Sequence, residues 1–504
     1  MAPHSESPRR KGSVGGRVAV IDIGSNSVRL VVFDGLRRAF FPLFNEKVIC
    51  GLGRELTQTG RLSEDAVWSA LVNVVRFTAM ARAMKVAELH LLGTAAARDA
   101  SNGPEFIAEV ERRCGHPVRL LSGAEEARIS ALGVLAAFPD AEGFMGDLGG
   151  GSLELVRLGD GRLQDFATLA LGPLRVIDSE KGKLVVPVEE IDRQLAEIDW
   201  LDTVEGRGFY AVGGAWRNLA RIHMDQNAYP LHVLHGYTMS ADEAIGFCQV
   251  VAGLGRRSMG RMTGVSRRRA ETLPYSALLL GRVLRRCRPK QVVLSAYGLR
   301  EGFFFERLPS KEQSKDPLVT AARDFAKREG RFGDCGAAFA RWIAPLFDED
   351  KAAEKRLRLV ACHLSDFAWR EHPDYRAAQA MHRILHYPFV GIDHPGRAFV
   401  ACAVFVRYGG EPDAPVAKPV VSLLRPRSAR RARLVGMALR LAYTLSAGAP
   451  SLLATTGLQV ADGGLWLDLS GDGSVPVGEV VERRFAAVAE AADLKLGNLR
   501  PRKR

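Results

Sequence analysis

The chain writes one turn twice. Residues 21–31 read IDIGSNSVRLV and residues 146–156 read GDLGGGSLELV. Overlaid without a gap, Asp22 falls on Asp147, Gly24 on Gly149, Ser27 on Ser152, Leu30 on Leu155 and Val31 on Val156. Each copy has a short apolar run entering an Asp-x-Gly-x-x-Ser turn and an alternating run leaving it, the pattern of a β-hairpin. Strand and helix patterns alternate after each hairpin. Such a chain is built from two related α/β units.

The turn has a chemical use. Glycine permits positive φ and lets backbone N–H groups approach an anion, and the serine hydroxyl adds a donor. An aspartate at its head suits Mg²⁺ or the orientation of a water. Two such turns facing one another grip a phosphate chain from both sides. The first offers Asp22, Ser25, Asn26 and Ser27; the second offers Gly149, Gly150, Gly151 and Ser152, with Asp147 and Glu154 placed to bracket a cation. Between them, LLGTAAARDA ends a strand at Gly93 and starts a helix, so Thr94 and Arg98 are further phosphate donors. SGAEEAR has two readings. Ser122 and Glu125 make a capping box, and Glu125 also stands at a strand's C-terminal end, where a general base belongs.

At 504 residues the chain exceeds one core. A helix is expected from Ser63, with Trp68, Leu71, Val72, Val75 and Ala79 as its apolar stripe. Beyond LPSKEQSKDP strand-like runs give way to Ala-, Arg- and Leu-rich helices, and YGGEPDAPVAKP reads as a linker. The expected division is a disordered basic tail (1–17), a first α/β domain (18–140), a second (141–310), a helical domain (311–412) and a small α+β domain (413–504). Of the five histidines from His363 to His394, His382 and His386 stand i, i+4, but HRILH lacks a zincin's glutamate and no His-Asp doublet occurs, so all are read mainly as packed or surface residues.

Seven cysteines lie far apart without a CxxC, which favours a reducing, cytoplasmic setting. No apolar run approaches the ~20 residues of a membrane span, and the longest, FVACAVFV, suits a buried helix or strand. The net charge of +13 favours polyanions, with basic runs at GRRSMGRMTGVSRRR, LRRCRPK, RPRSARRARL and RPRKR. A nucleic-acid partner explains that charge but not carboxylates at glycine turns, so nucleic acid is not expected.

IDIGSNSVRLVVFD, GLGRELTQTGRLSEDAV, GTAAARDA, LLSGAEEAR, GDLGGGSLELV, AVGGAWRNLARI and SAYGLREG, in this order, resemble the exopolyphosphatase and guanosine pentaphosphate phosphohydrolase family. The resemblance covers residues 18 to about 307. It implies two ribonuclease-H-like (actin-like ATPase) domains around a cleft, followed by an all-helical, HD-like, non-catalytic domain and a small C-terminal α+β domain. It further implies Mg²⁺-dependent hydrolysis (Mn²⁺ as an alternative) of the terminal phosphoanhydride of inorganic polyphosphate, with guanosine pentaphosphate as the alternative substrate, in a homodimer. Matched position by position, Glu125 is the general base and Asp147 and Glu154 the metal carboxylates. Asp22 is the first turn's carboxylate and Arg98 the phosphate clamp. Ser25, Asn26, Ser27 and Gly149 to Ser152 are the phosphate turns.

Overall fold

The computed structural model describes residues 16–177, 188–254, 271–469 and 478–501. The N-terminal tail through residue 15 and the basic runs at 255–269 and 502–504 lie outside the described residues. Two compact units emerge. One comprises residues 1–228 and 234–315, the other 229–233 and 316–504.

In the first unit, β1 (Val18–Ile23), β2 (Ser27–Phe33) and β3 (Pro42–Ile49) form an antiparallel meander, followed by helix α1 (Glu64–Ala83). Strand β4 (Glu88–Gly93), helices α2 (Ala95–Asp99) and α3 (Gly103–Cys114) and strand β5 (Val118–Leu120) come next. The sheet order is β3-β2-β1-β4-β5, with β4 and β5 parallel to β1. Helix α4 (Gly123–Ala137) leads to the second sheet. There β6 (Gly143–Leu148), β7 (Leu153–Gly159) and β8 (Arg162–Leu169) repeat the meander. Strand β9 (Gly208–Val212), helix α5 (Gly214–Gln226), strand β10 (Thr238–Ser240), helices α6 (Ala241–Ala252) and α7 (Leu273–Cys287) and strand β11 (Gln291–Leu294) complete it. Its order, β10-β11-β9-β6-β7-β8, again places two parallel strands beside the meander. The duplication read from one turn therefore extends to whole sheets.

The expected stripe on α1 is a correction. Trp68 is 61% exposed, and Val72, Val75 and Ala79 are exposed with it. The buried face is Ala66, Ala70, Leu71, Val74, Phe77 and Ala81. Small alanines let the helix lie close on the sheet, and that proximity outweighs the larger side chains opposite.

Helix α4 is shared between the sheets. Ala127, Ala131, Val134 and Leu135 pack with Met145, Val156, Leu158 and Val212 of the second sheet. Ile129 packs with Val20, Leu92 and Phe303. Phe303 belongs to α8 (Leu299–Glu306), which follows β11. Phe304 and Phe305 of α8 pack on Val18, Val31 and Phe33 of the first sheet. The expected boundaries at 140 and 310 are thus not clean, because the second half returns a helix to the first. The two helices cross backbone to backbone. A Cβ on Gly133 would stand 2.2 Å from the Gly298 oxygen, and one on Gly302 1.8 Å from the Ile129 oxygen.

The second unit begins with helices α9 (Pro317–Glu329), α10 (Gly336–Ile343), α11 (Ala352–His363), α12 (Pro373–His386) and α13 (His394–Arg407). The FVACAVFV run is the middle of α13, buried on every side. Helix α14 (Pro426–Ser446), strands β12 (Gly457–Ala461) and β13 (Gly464–Leu469), helix α15 (Glu479–Ala491) and strand β14 (Lys495–Pro501) follow. One apolar cluster runs from Leu318 through Val404 and Leu439 to Val488. The expected boundary at 412 therefore does not divide two cores. Strand β14 is the last of these elements and pairs with β13 in parallel.

The α4–α8 crossing yields a prediction. Gly302→Ala forces a methyl group into a carbonyl oxygen that belongs to a helix backbone, so urea unfolding should show a loss of at least about 1–3 kcal/mol, the range of overpacked cores. A midpoint equal to wild type would mean the crossing is looser than described.

Candidate active site

Both turns close in the same way. The Gly24 N–H donates to the Ser27 oxygen at 3.0 Å, and the Gly149 N–H to the Ser152 oxygen at 3.0 Å. The turn carbonyls are engaged elsewhere. Ser25 O accepts from Gly53 N–H, Asn26 O from Cys50 and Gly51, and Gly150 O from Leu174. None of Gly24, Gly149, Gly150 and Gly151 has positive φ, contrary to the expectation. Their smallness serves approach instead. A Cβ on Gly150 would lie 3.3 Å from Ser25 Cβ and 3.4 Å from Asn26 Cβ, and one on Gly151 3.2 Å from Ser25 Oγ. The turns face each other at van der Waals distance, as the duplication implied.

Around them lies a cavity of about 510 Å³. Asp22, Ser25, Asn26, Ser27, Thr94, Asp147, Gly149, Gly150, Gly151 and Ser152 line it. Three expected residues do not: Glu125, Arg98 and Glu154. Arg98 is tied down, its Nη1 donating to Leu121 O at 2.9 Å and its Nε to Asp99 at 2.9 Å. Glu154 is 2% exposed and sits directly across the hairpin from Asp147, with Oε1 unpartnered.

Glu125 requires correction. It is the N3 residue of a complete capping box on α4, accepting from the N–H and Oγ of Ser122 at 3.0 Å. Its other oxygen accepts from Arg119 Nη2 at 2.8 Å. The Arg119 guanidinium, then the Ser122 N–H, hold its carboxyl down at about 2. A carboxylate so satisfied is a poor base. The next residue is the one in the cleft. Glu126 lines the cavity, 3.5 Å from Arg98 Nη1. Burial above all, with the charges of Asp147 and Asp22, pushes its carboxyl up to about 8. Burial also raises Asp147, which accepts from Ser130 Oγ at 2.8 Å, and raises Glu154, with Glu126 and Asp147 contributing. Asp22 accepts from Arg300 Nη1 at 2.9 Å.

Sequence reasoning also missed a set of cations. Arg29 and Lys47 are cross-strand partners on β2 and β3, and Asp22 is the partner of Arg29 on β1. With Arg217 and Arg300 they line the cavity. Burial, then Arg217, Arg29 and Arg300, brings Lys47 down to about 8. Four cations this close call for an anion. The available signal was alignment with the repeat: Arg29 occupies the place of Glu154.

The donor chemistry fits a hard divalent cation. Burial penalises the charged forms of the Asp147 and Glu154 carboxylates, with neighbouring carboxylates adding to it at Glu154, and Glu154 Oε1 has no partner. Among the described residues no group of three potential ligands is gathered to enclose an ion. Mg²⁺ characteristically takes one or two carboxylates and completes its shell with water and substrate phosphate.

Two sheets of like order therefore frame a cleft of about 510 Å³ that both glycine turns line. Residues 31–311 match the Ppx/GppA phosphatase family, and residues 334–498 match the exopolyphosphatase C-terminal family. The chain belongs to the Ppx/GppA phosphatase family and is by class a phosphoanhydride hydrolase. It is 26% identical to exopolyphosphatase 1 of Mycobacterium leprae over 329 residues, 62% of this chain and 96% of that one. It is 24% identical to retrograde regulation protein 2 of Saccharomyces cerevisiae over 431 residues, 78% of this chain and 72% of that one. The crystal structure of an exopolyphosphatase from Cytophaga hutchinsonii superposes with a TM-score of 0.51 at 21% identity, covering 58% of this chain and 97% of its own, and shares the fold. Among the described residues no helix is long and apolar enough to cross a membrane.

The raised Glu126 carboxyl predicts a pH dependence of stability. The folded chain holds this proton more tightly than the unfolded chain, so the group's stabilising contribution is full below about 4.5 and is lost as pH rises towards about 8. Urea midpoints in EDTA between pH 5 and 8.5 should fall with this slope, and Glu126→Gln should flatten it. An equal slope in the variant would place the proton elsewhere.

Proposed function

We propose that this protein hydrolyses the terminal phosphoanhydride of inorganic polyphosphate, releasing orthophosphate, with Glu126 as general base. The observation that carries the reading is one buried carboxylate, raised to about 8, in a cleft lined by facing glycine turns and by cations that include Arg29, Lys47, Arg217 and Arg300. Phosphoryl transfer needs mainly positioning and charge neutralisation, and this lining supplies both. Ser25, Asn26, Gly150, Gly151 and Ser152 hold the terminal phosphate, and Arg29, Lys47, Arg217 and Arg300 hold the phosphates behind it. A water attacks the terminal phosphorus and gives its proton to Glu126 while the bridging P–O bond breaks. The shortened chain leaves as an oxyanion, stabilised by the cations without protonation. Asp147 and Glu154 would hold Mg²⁺ or Mn²⁺, whose contribution is to neutralise charge on the phosphate oxygens. Arg98 orients Glu126 rather than clamping substrate. The cleft accommodates the 5′ phosphates of guanosine pentaphosphate by the same contacts, so substrate choice is decided by experiment.

Phosphate release from long-chain polyphosphate and from guanosine pentaphosphate, with Mg²⁺ and with EDTA, tests the reading. Glu126→Gln should lower kcat by about 10²- to 10⁴-fold, the usual worth of a general base. Glu125→Gln should keep near-wild-type kcat and near-wild-type stability, since glutamine at N3 also closes a capping box. The opposite pattern would restore Glu125 as the base. Release from the nucleotide alone would keep the site and change the substrate.

A second test concerns the cations. Lys47→Met should raise KM for polyphosphate several-fold while leaving kcat within a small factor, because uniform binding is lost. An unchanged KM would remove Lys47 from the substrate path.

A further inference from the structure

We propose that the outward face of α1 is a docking surface for the same face of a second copy of this chain. Trp68, Val72 and Val75 are 61%, 43% and 36% exposed, and Ala79 and Ala83 are exposed beside them. At about 100° per residue they fall on one side of the helix. Ala66, Ala70, Val74, Phe77 and Ala81, on the other side, are buried. A surface helix ordinarily turns charged and polar groups outward. Here a connected apolar stripe takes their place, and Trp68 is the one exposed ring among six tryptophans.

The charges around the stripe leave it open. Arg76, which shares its side of the helix, is held by Glu46 of β3. Arg113 of α3 pairs with Glu109 at 2.5 Å, and its guanidinium lies 5.9 Å from the Trp68 ring centre. Asp65 and Arg82 stand at the two ends of the stripe. Arg82 Nη2 donates to Cys114 O at 2.6 Å, and among the described residues neither Asp65 nor Arg82 has an ion-pair partner.

The order of these residues names the occupant. Run antiparallel about a two-fold axis between Asn73 and Val74, the stripe is complementary to itself. That register sets Val72 against Val75 of the second copy, Trp68 against its Ala79 and Asp65 against its Arg82, each contact made twice by symmetry. The widest side chain meets one of the smallest, and an acid meets a base. The start of one helix also lies beside the end of the other, where their dipoles attract. An isologous contact requires such a match of a surface with itself. A single helix pair buries less than a standard interface, so the association is reversible.

Sedimentation velocity of the full chain, from about 1 to 100 µM at low salt, tests the pairing where exposed ion pairs still act. Wild type should pass with rising concentration from one mass to twice that mass. Trp68→Ser should weaken this step at least tenfold while leaving the melting temperature of the dilute chain unchanged. Asp65→Arg and Arg82→Glu each bring like charges together and should weaken it several-fold; combined in one chain they should restore it. A wild type of constant mass would overturn the proposal, as would variants that associate like wild type or a double variant no better than the singles. None of these residues lines the cleft, so no outcome bears on turnover there.

Discussion

The site depends on two helices that touch through their backbones. Gly133 of α4 and Gly302 of α8 leave no room for a side chain at the crossing, and Gly298 abuts it. Each helix carries a cleft residue at its start. Glu126 stands in the first turn of α4, and Arg300 in that of α8, where it reaches Asp22 on the opposite sheet. Ser130, further along α4, fixes Asp147. A wider crossing would separate acid from base and loosen both. The glycines therefore matter to chemistry some distance from themselves, through helices too stiff to absorb an ångström.

What could be read from the sequence follows from this. The duplicated turn was legible because hairpin, glycine and serine are contiguous, and the repeated sheet order follows from it. The proposed base was legible only to within one residue. Two glutamates are adjacent, and a helix turns roughly 100° between them. One folds back onto Ser122 and the other points into the cleft, so helix phase decides the role. The capping box was itself the clue, since a glutamate closing a box is spent. The stripe on α1 failed for a different reason. Counting large apolar residues favours Trp68 and Val72, whereas the sheet takes the face whose alanines allow close packing.

The cleft cations were hidden by distance. Arg29, Lys47, Arg217 and Arg300 are scattered over most of the first unit, and only sheet register and the helix crossing gather them. Yet the repeat held half the answer. In the first copy the hairpin row reads Asp22, Arg29, Lys47; in the second it opens Asp147, Glu154. The two copies share a backbone and an aspartate, and the residue across the hairpin from it carries opposite charge in each.

That reversal explains why the fold tolerates both clusters. A buried set of carboxylates and a buried set of guanidinium and ammonium groups are each costly alone. Facing one another across about 510 Å³, they offset part of that cost at long range, while direct pairing is limited to Arg300 with Asp22 and Arg98 with Glu126. What remains unbalanced on each side is complementary to a ligand that brings anions for one wall and a cation for the other. A phosphate chain with a divalent counter-ion, the ligand of the proposed reaction, would meet both walls at once.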